Sequence, residues 1–269
     1  MTFSSIDHGV RLDVAGSVAT VTIDRPDKRN ALGLAAWRAL PELIRAAEQD
    51  RTARVIVVRG AAGHFGAGND IAEFGALQGD PGAAGAFGAA MAEAMRSIED
   101  AGTPVVMAIE GMCYGASVAL ALAGDLRIAA DNAVFAITPA KLGALYLRSD
   151  LHRLSAAVGN GQAKRLIFSA EAIGADEALR IGLVDEAIAQ DRFETRLQQL
   201  IAAIVGGSPF TIRRTKQMLR DVGSGPAPVE TRESLAAFVE ATQGADFAEG
   251  IAAFGAKRSP QFGGSPRSS

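Results

Sequence analysis

The chain has 269 residues, 48% of them hydrophobic, with a formal net charge of −3. Such a chain can bury one large core, with or without a small appendage. The slightly acidic balance argues against nucleic acid or an anionic membrane as the main partner, since both ask for basic patches.

Cys113 is the single cysteine, so no internal disulfide is possible and a reducing compartment fits. Among small and apolar neighbours, with no base beside it in sequence, it reads as a buried inert thiol rather than a nucleophile. His8, His64 and His152 show no metal-ligand spacing, so no metal is expected.

In chain order, the N-terminal MTFSSIDHGVRLD has neither the apolar core of a signal peptide nor an Arg/Ser-rich amphipathic pattern. No apolar run is long enough for a bilayer, which makes the cytoplasm the expected compartment. Strand-like β-branched runs follow at VATVTI (18–23), VIVV (55–58), VVMAI (105–109), LRIA (126–129) and VFAI (134–137). Helical segments are predicted between the first three, over 31–50 and 82–100. This alternation predicts an α/β fold with largely parallel strands. Successive strands lie on the order of 40–50 residues apart, more than a minimal βα unit needs, so each turn is expected to carry an extra strand or loop.

Beyond Asp185 the pattern turns helical, at 193–205, 211–222, 230–242 and 244–260. We therefore expect a core over residues 1–195 and a helical region over 196–269, ending in a disordered QFGGSPRSS tail.

Two glycine-rich stretches draw attention. GAAGHFGAGNDIAEF (60–74) follows the VIVV strand directly, and its glycines permit positive φ and close backbone approach. It lacks the Gly-Lys-Ser/Thr end of a P-loop and the dinucleotide spacing, so composition alone leaves ligand loop and structural turn both open. GMCYGASVALALAGDLRIA (111–129) opens a helix with small residues. They serve either close packing or the approach of a ligand to free N–H groups at a helix start. GASVA lacks the last glycine of a G-x-S-x-G elbow, so Ser117 reads as polar lining of the bend rather than as a hydrolase nucleophile.

Taken with DRPDKRNAL (24–32), HFGAGNDIAEF (64–74), the segment 111–143, SAEAIGADEALRIGLVDEAI (169–188) and IAAFGAKRSPQF (251–262), the chain resembles the crotonase (enoyl-CoA hydratase/isomerase) superfamily over almost its full length. The resemblance implies a crotonase-like ββα spiral that binds acyl-CoA thioesters, with a C-terminal helical trimerisation region. It implies no cofactor besides the CoA of the substrate, and a homotrimer or dimer of trimers. The backbone N–H groups of Asn69 and Ala116, after Gly68 and Gly115, match the family's oxyanion hole. Preorganised donors of this kind contribute about 3–4 kcal/mol each. Asn69 replaces the small or apolar residue common there, leaving its side chain able to contact the acyl group.

CoA is implied along Asp27, Lys28 and Arg29 and along the backbone of Ala67, Gly68, Asp70 and Ile71, with Lys28 or Arg29 either meeting phosphates or simply solvated. Asp70 is expected to cap the following helix. Phe254 and Lys257 match positions where a neighbouring subunit covers CoA.

The family's two catalytic glutamates fall on Ala119 and Ala140, and the acid of some isomerases and dehalogenases on Leu147. Alanine cannot move a proton. Asp150 and Tyr146 are the first substitutes, with Arg148, Glu110 and His64 behind them. Asp150 serves equally as an N-cap for the helix that follows, and His64 as loop structure. The expected activity is that of a hydratase/isomerase. The alternatives are decarboxylation, thioester hydrolysis or C–C cleavage on the same site, or a catalytically silent acyl-CoA binder.

Overall fold

A computed structural model describes residues 3–74, 77, 80–223 and 244–262. The helix expected at 230–242 and most of the C-terminal tail lie outside these residues. The chain opens with β1 (Phe3–Asp7), β2 (Val10–Ala15) and β3 (Val18–Ile23), an antiparallel meander. The first two strands precede the first one predicted. In VRLDVA, charged residues separate Val10, Leu12 and Val14, so the buried face is an alternation rather than a β-branched run. From β3 the sheet continues in parallel through β4 (Val55–Gly60), β5 (Val105–Ile109), β7 (Leu126–Ala130) and β10 (Glu186–Ile188). Val55, Ile56, Val57 and Val58 are all buried, because a parallel sheet is covered on both faces.

The extra strand or loop expected in each turn takes both forms. In a second sheet, β8 (Val134–Ala136) lies between β6 (Met112–Tyr114) and β9 (Ala172–Gly174). In the first two turns the same place is taken by single bridges, Leu32 with Asn69 and Gly66 with Cys113. Each turn then closes with helix: α1 (Leu34–Gln49); α2 (Ile71–Phe74) with α3 (Pro81–Asp100); α4 (Ala116–Leu122); and α5 (Pro139–Leu142) with α6 (Arg148–Ser169). This repetition of strand, strand and helix is the ββα spiral.

Two of these helices bear on the site. All seven residues of α4 are buried, which explains their small size. Gly33 starts α1 without a side-chain cap, and Glu73 of α2 supplies one by accepting from the Leu34 amide at 2.8 Å.

The short α7 (Ala175–Arg180) leads through β10 to α8 (Gln190–Gly206), α9 (Pro209–Gly223) and α10 (Ala245–Gly255). The boundary expected after residue 195 falls inside α8. Phe193, Leu197 and Ile201 share one face of that helix and pack on Val55, Val57, Val106 and Ile128, so the sheet-bound part of the chain extends to Gly206.

A buried ion network clamps α3 to α6. Asp150 is fully buried; one oxygen meets Arg153 at 2.9 Å and the other accepts from the Leu147 amide at 3.3 Å. Arg153 also makes two 2.7 Å bonds to Glu99 of α3. Burial raises the Asp150 carboxyl above the ordinary aspartate value, while Arg153 and the Leu147 amide oppose the shift. A raised acid costs stability as pH climbs through its folded value, and Arg153 offsets that cost. Replacing Arg153→Met is expected to lower unfolding stability by about 3–5 kcal/mol at neutral pH. The loss should shrink once the pH falls below Asp150's folded value, where the buried acid is neutral in both proteins. Denaturant titrations across pH check both the size and the sign.

Candidate active site

The segment 64–70 lies between two neighbouring stretches of backbone and bonds to both. Phe65 N–H donates to Glu110 C=O at 2.9 Å and Gly66 N–H to Met112 C=O at 2.8 Å. Ala67 N–H donates to Arg29 C=O at 2.9 Å, Gly68 N–H to the Ser117 hydroxyl at 3.0 Å, and Asp70 N–H to Leu32 C=O at 2.9 Å. Among the described residues, the Asn69 N–H has no protein acceptor.

Across from it, Gly115 N–H donates to Ala136 C=O at 2.8 Å and Val118 N–H to Gly115 C=O at 3.0 Å. The Ala116 N–H, first in α4, is likewise without an acceptor among the described residues.

The two free amides are neighbours. A Cβ on Gly68 would lie 3.1 Å from the Ala116 nitrogen and 2.7 Å from the Tyr114 carbonyl oxygen. Gly68 also holds φ +93°. No other residue fits that position, and the Asn69 amide is the next group along the chain. Backbone N–H groups in a buried setting almost always find partners, so two adjacent free ones mark a place for an outside acceptor. Donors held this way stabilise negative charge developing on one oxygen.

Several side chains hold the loops in place. Asn30 is buried at φ +58°, accepts from Arg25 N–H and donates to Ala61 and His64 C=O at 2.9 and 2.7 Å. It tethers the turn before Phe65, and the sequence reading missed it. Its signal was present, since Asn is among the few residues that tolerate positive φ. Ser117, expected as polar lining of the bend, has its hydroxyl taken by the Gly68 amide. Asn69, expected to reach the acyl group, turns inward: Trp37 Nε1 donates to its Oδ1 at 2.9 Å, and its Nδ2 lies 3.5 Å from Met91 Sδ.

The CoA-contact candidates fall into two groups. Asp70 Oδ1 accepts from Ala72 N–H at 3.2 Å at the start of α2, and Oδ2 meets Lys28 at 2.6 Å and Arg25 at 3.0 Å. The Lys28 ammonium holds the Asp70 carboxyl below its usual range. Asp27, Lys28 and Arg29 are exposed beside that pair, and Ile71 exposes 59% of its surface. Lys257 is exposed past the end of α10, whereas the Phe254 side chain lies outside the described residues.

The acid/base candidates are occupied. Asp150 lies at the third position of α6 rather than at its cap, turned to Arg153 and Leu147 N–H. The Tyr146 hydroxyl donates to Gly115 C=O at 2.5 Å, and burial, reinforced by Asp150, pushes its proton loss well above the ordinary tyrosine value. Neither stands free to move a substrate proton. His64 Nδ1 accepts from Met112 N–H at 3.1 Å, and Glu110 pairs with Arg59 at 3.0 Å. Leu147 sits at the cap of α6 and Arg148, next to it, is exposed. Ala119 is fully buried in α4, whereas Ala140 is exposed on α5. Burial raises the Cys113 thiol far above its ordinary value, as an inert thiol requires. Among the described residues no cluster of metal-ligating side chains occurs, and no helix is long and apolar enough to cross a membrane.

This arrangement has close counterparts. A protein of the enoyl-CoA hydratase/isomerase family from Hyphomonas neptunium superposes with a TM-score of 0.90 at 37% identity, covering 94% of this chain and 97% of that one. An enoyl-CoA hydratase/carnithine racemase from Magnetospirillum magneticum gives 0.92 at 31%, covering 97% of each. In sequence, the short-chain-enoyl-CoA hydratase of Clostridium acetobutylicum is 34% identical over 213 residues, 79% of this chain and 81% of that protein. The 2,3-dehydroadipyl-CoA hydratase of Escherichia coli is 30% identical over 250 residues, 92% of this chain and 95% of the other. The family pattern for enoyl-CoA hydratase/isomerase matches residues 13–265. With that span and those relatives, the chain belongs to the enoyl-CoA hydratase/isomerase family.

Proposed function

We propose that this enzyme binds an acyl-CoA thioester with its carbonyl oxygen between the Asn69 and Ala116 amides, which stabilise an enolate-like oxyanion. The observation that carries this reading is the pair of adjacent N–H groups, on Asn69 and Ala116, left without a protein acceptor among the described residues. The charge that builds on a thioester oxygen during bond changes at the α-carbon is what such donors stabilise best. The exposed Lys28–Arg29 side chains beside Ile71 and the Ala67–Asp70 backbone take the CoA, its phosphates meeting the cations and its pantetheine the loop. The reading needs no cofactor and no metal. It places the enzyme in the cytoplasm as a homotrimer or dimer of trimers joined through the C-terminal helices, where Leu219, Phe247 and Ile251 are exposed.

Within the family the reaction is of the hydratase/isomerase type, on an enoyl- or related acyl-CoA. One set of observations favours a second reading. Alanine stands at both positions where the resemblance places glutamates, and Asp150, Tyr146, His64 and Glu110 are each held by protein groups. A reaction that needs no protein base suits such a site. In decarboxylation of a 2-carboxyacyl-CoA, the bond to the carboxylate breaks, CO2 leaves and the electron pair passes through the α-carbon to the thioester oxygen. Water then protonates the α-carbon.

Proline is tolerated at a first helical position but carries no N–H. Ala116→Pro should therefore preserve the fold by circular dichroism and lower kcat about 10²–10³-fold. An unchanged kcat would overturn the oxyanion reading. Lys28→Ala is expected to raise KM for acyl-CoA roughly tenfold with kcat little changed, since a phosphate contact remote from the reacting carbons binds ground and transition states alike. Parallel assays separate the reactions. Loss of the enoyl thioester absorbance of crotonyl-CoA marks hydration, and CO2 release from malonyl-CoA or methylmalonyl-CoA marks decarboxylation. Binding without turnover on any of these would leave an acyl-CoA-binding protein, and absence of acyl-CoA binding would sink the whole reading.

A further inference from the structure

The peptide units that carry the two free amides have a common feature. Each N–H shares its peptide with the carbonyl of the preceding residue. For Asn69 that carbonyl is Gly68 C=O, which accepts from Leu32 N–H at 2.8 Å. For Ala116 it is Gly115 C=O, which accepts from Val118 N–H at 3.0 Å and also from the Tyr146 hydroxyl at 2.5 Å. A hydrogen bond received at a peptide oxygen draws electron density from its nitrogen and strengthens the donor on the other side. The first donor is polarised by backbone alone; the second is polarised by a side chain as well.

We propose that Tyr146 is a positioning residue for the thioester carbonyl: its hydroxyl, donating to Gly115 C=O, orients and polarises the peptide whose N–H, on Ala116, receives the oxyanion. This role rests on the oxyanion reading of Asn69 and Ala116 and replaces the acid/base role that the sequence suggests for the same side chain.

Three features of the molecule support it. Tyr146 lies in the segment between α5 and α6, on a separate piece of chain from the α4 start it touches, so the contact is made by tertiary structure. Gly115 holds φ +53° and ψ −123°, a conformation open to glycine, and a donor fixed on its carbonyl holds that peptide in register. The hydroxyl remains a donor throughout the working pH range, because burial and the neighbouring Asp150 carboxylate keep its proton in place. A tyrosine that must give up its proton would be poorly served by those surroundings, whereas a permanent donor is well served.

The test reads the carbonyl directly. Butyryl-CoA labelled with 13C at the thioester carbonyl has no double bond to hydrate, and its infrared C=O stretch moves to lower frequency when donors polarise it. The full-length protein is expected to produce such a downshift, and Tyr146→Phe a smaller one, with kcat on the enzyme's best acyl-CoA reduced about two- to eightfold and KM little changed. Loss of one hydroxyl can also act through repacking, so a graded probe accompanies it. The chain has only two tyrosines, Tyr114 and Tyr146. Uniform 3-fluorotyrosine in a Tyr114→Phe background therefore changes the Tyr146 donor alone, at nearly constant shape. A more acidic hydroxyl is a stronger donor, so the downshift should exceed that of the same background with ordinary tyrosine. A wild-type downshift that neither substitution changes overturns the role of Tyr146 and leaves the oxyanion reading standing. No downshift in the wild-type protein overturns both.

Discussion

The hydrogen bonding of residues 64–70 to chain on both sides governs the rest of the site. This stretch has too many glycines to be a strand on propensity. It is held extended because Arg29 and Leu32 accept from it on one side while Glu110 and Met112 accept on the other. Once those bonds and the bond from Gly68 N–H to Ser117 are made, the Asn69 N–H is left without an acceptor among the described residues. The free amide is a consequence of the pairing pattern, and its direction is fixed before any ligand arrives. That is the condition for a donor to stabilise developing charge without reorganising.

The surrounding architecture serves this pairing. Asn30 and the Arg25–Asp70–Lys28 cluster anchor the first turn of the spiral to the loop, and Glu73 ties the short helix that follows to the start of α1. Ser117 joins the loop to the head of α4, and Trp37 holds the Asn69 side chain against the core. Only glycine fits at position 68, where a side chain would run into the backbone of the opposite bend. On the far side of the sheet, α8 closes a separate apolar layer. Rigid covalent geometry at two glycines and a lattice of short polar contacts thus position two peptide groups, with the large core as their support.

Such a site places its chemistry in the main chain. The side chains first expected to move protons are employed elsewhere: Asp150 in the ion network between α3 and α6, His64 and Glu110 in loop contacts. On the proposed reading, the Asn69 and Ala116 amides polarise the thioester carbonyl, and alanine at positions 119 and 140 favours reactions that ask for little more than that polarisation.

Local chemistry was legible in the sequence because it depends on spacing. The β-branched runs gave the central parallel strands, the small-residue run gave a buried α4, and the glycines at 66, 68, 111 and 115 marked the two bends. The family resemblance placed Asn69 and Ala116 at those bends. Strands β1 and β2 and the single bridges at Leu32 and Gly66 were not legible, since alternating charged residues and isolated pairs leave weak local signals. What each polar side chain does was also beyond the sequence. Ser117, Asn69, Tyr146 and Asp150 all looked free for a substrate, and each found its partner across 3 to 49 positions of chain. Hydrogen-bonding capacity is written in the residue type. Which capacity is already used depends on what the folded chain brings alongside, and that is decided only by tertiary structure.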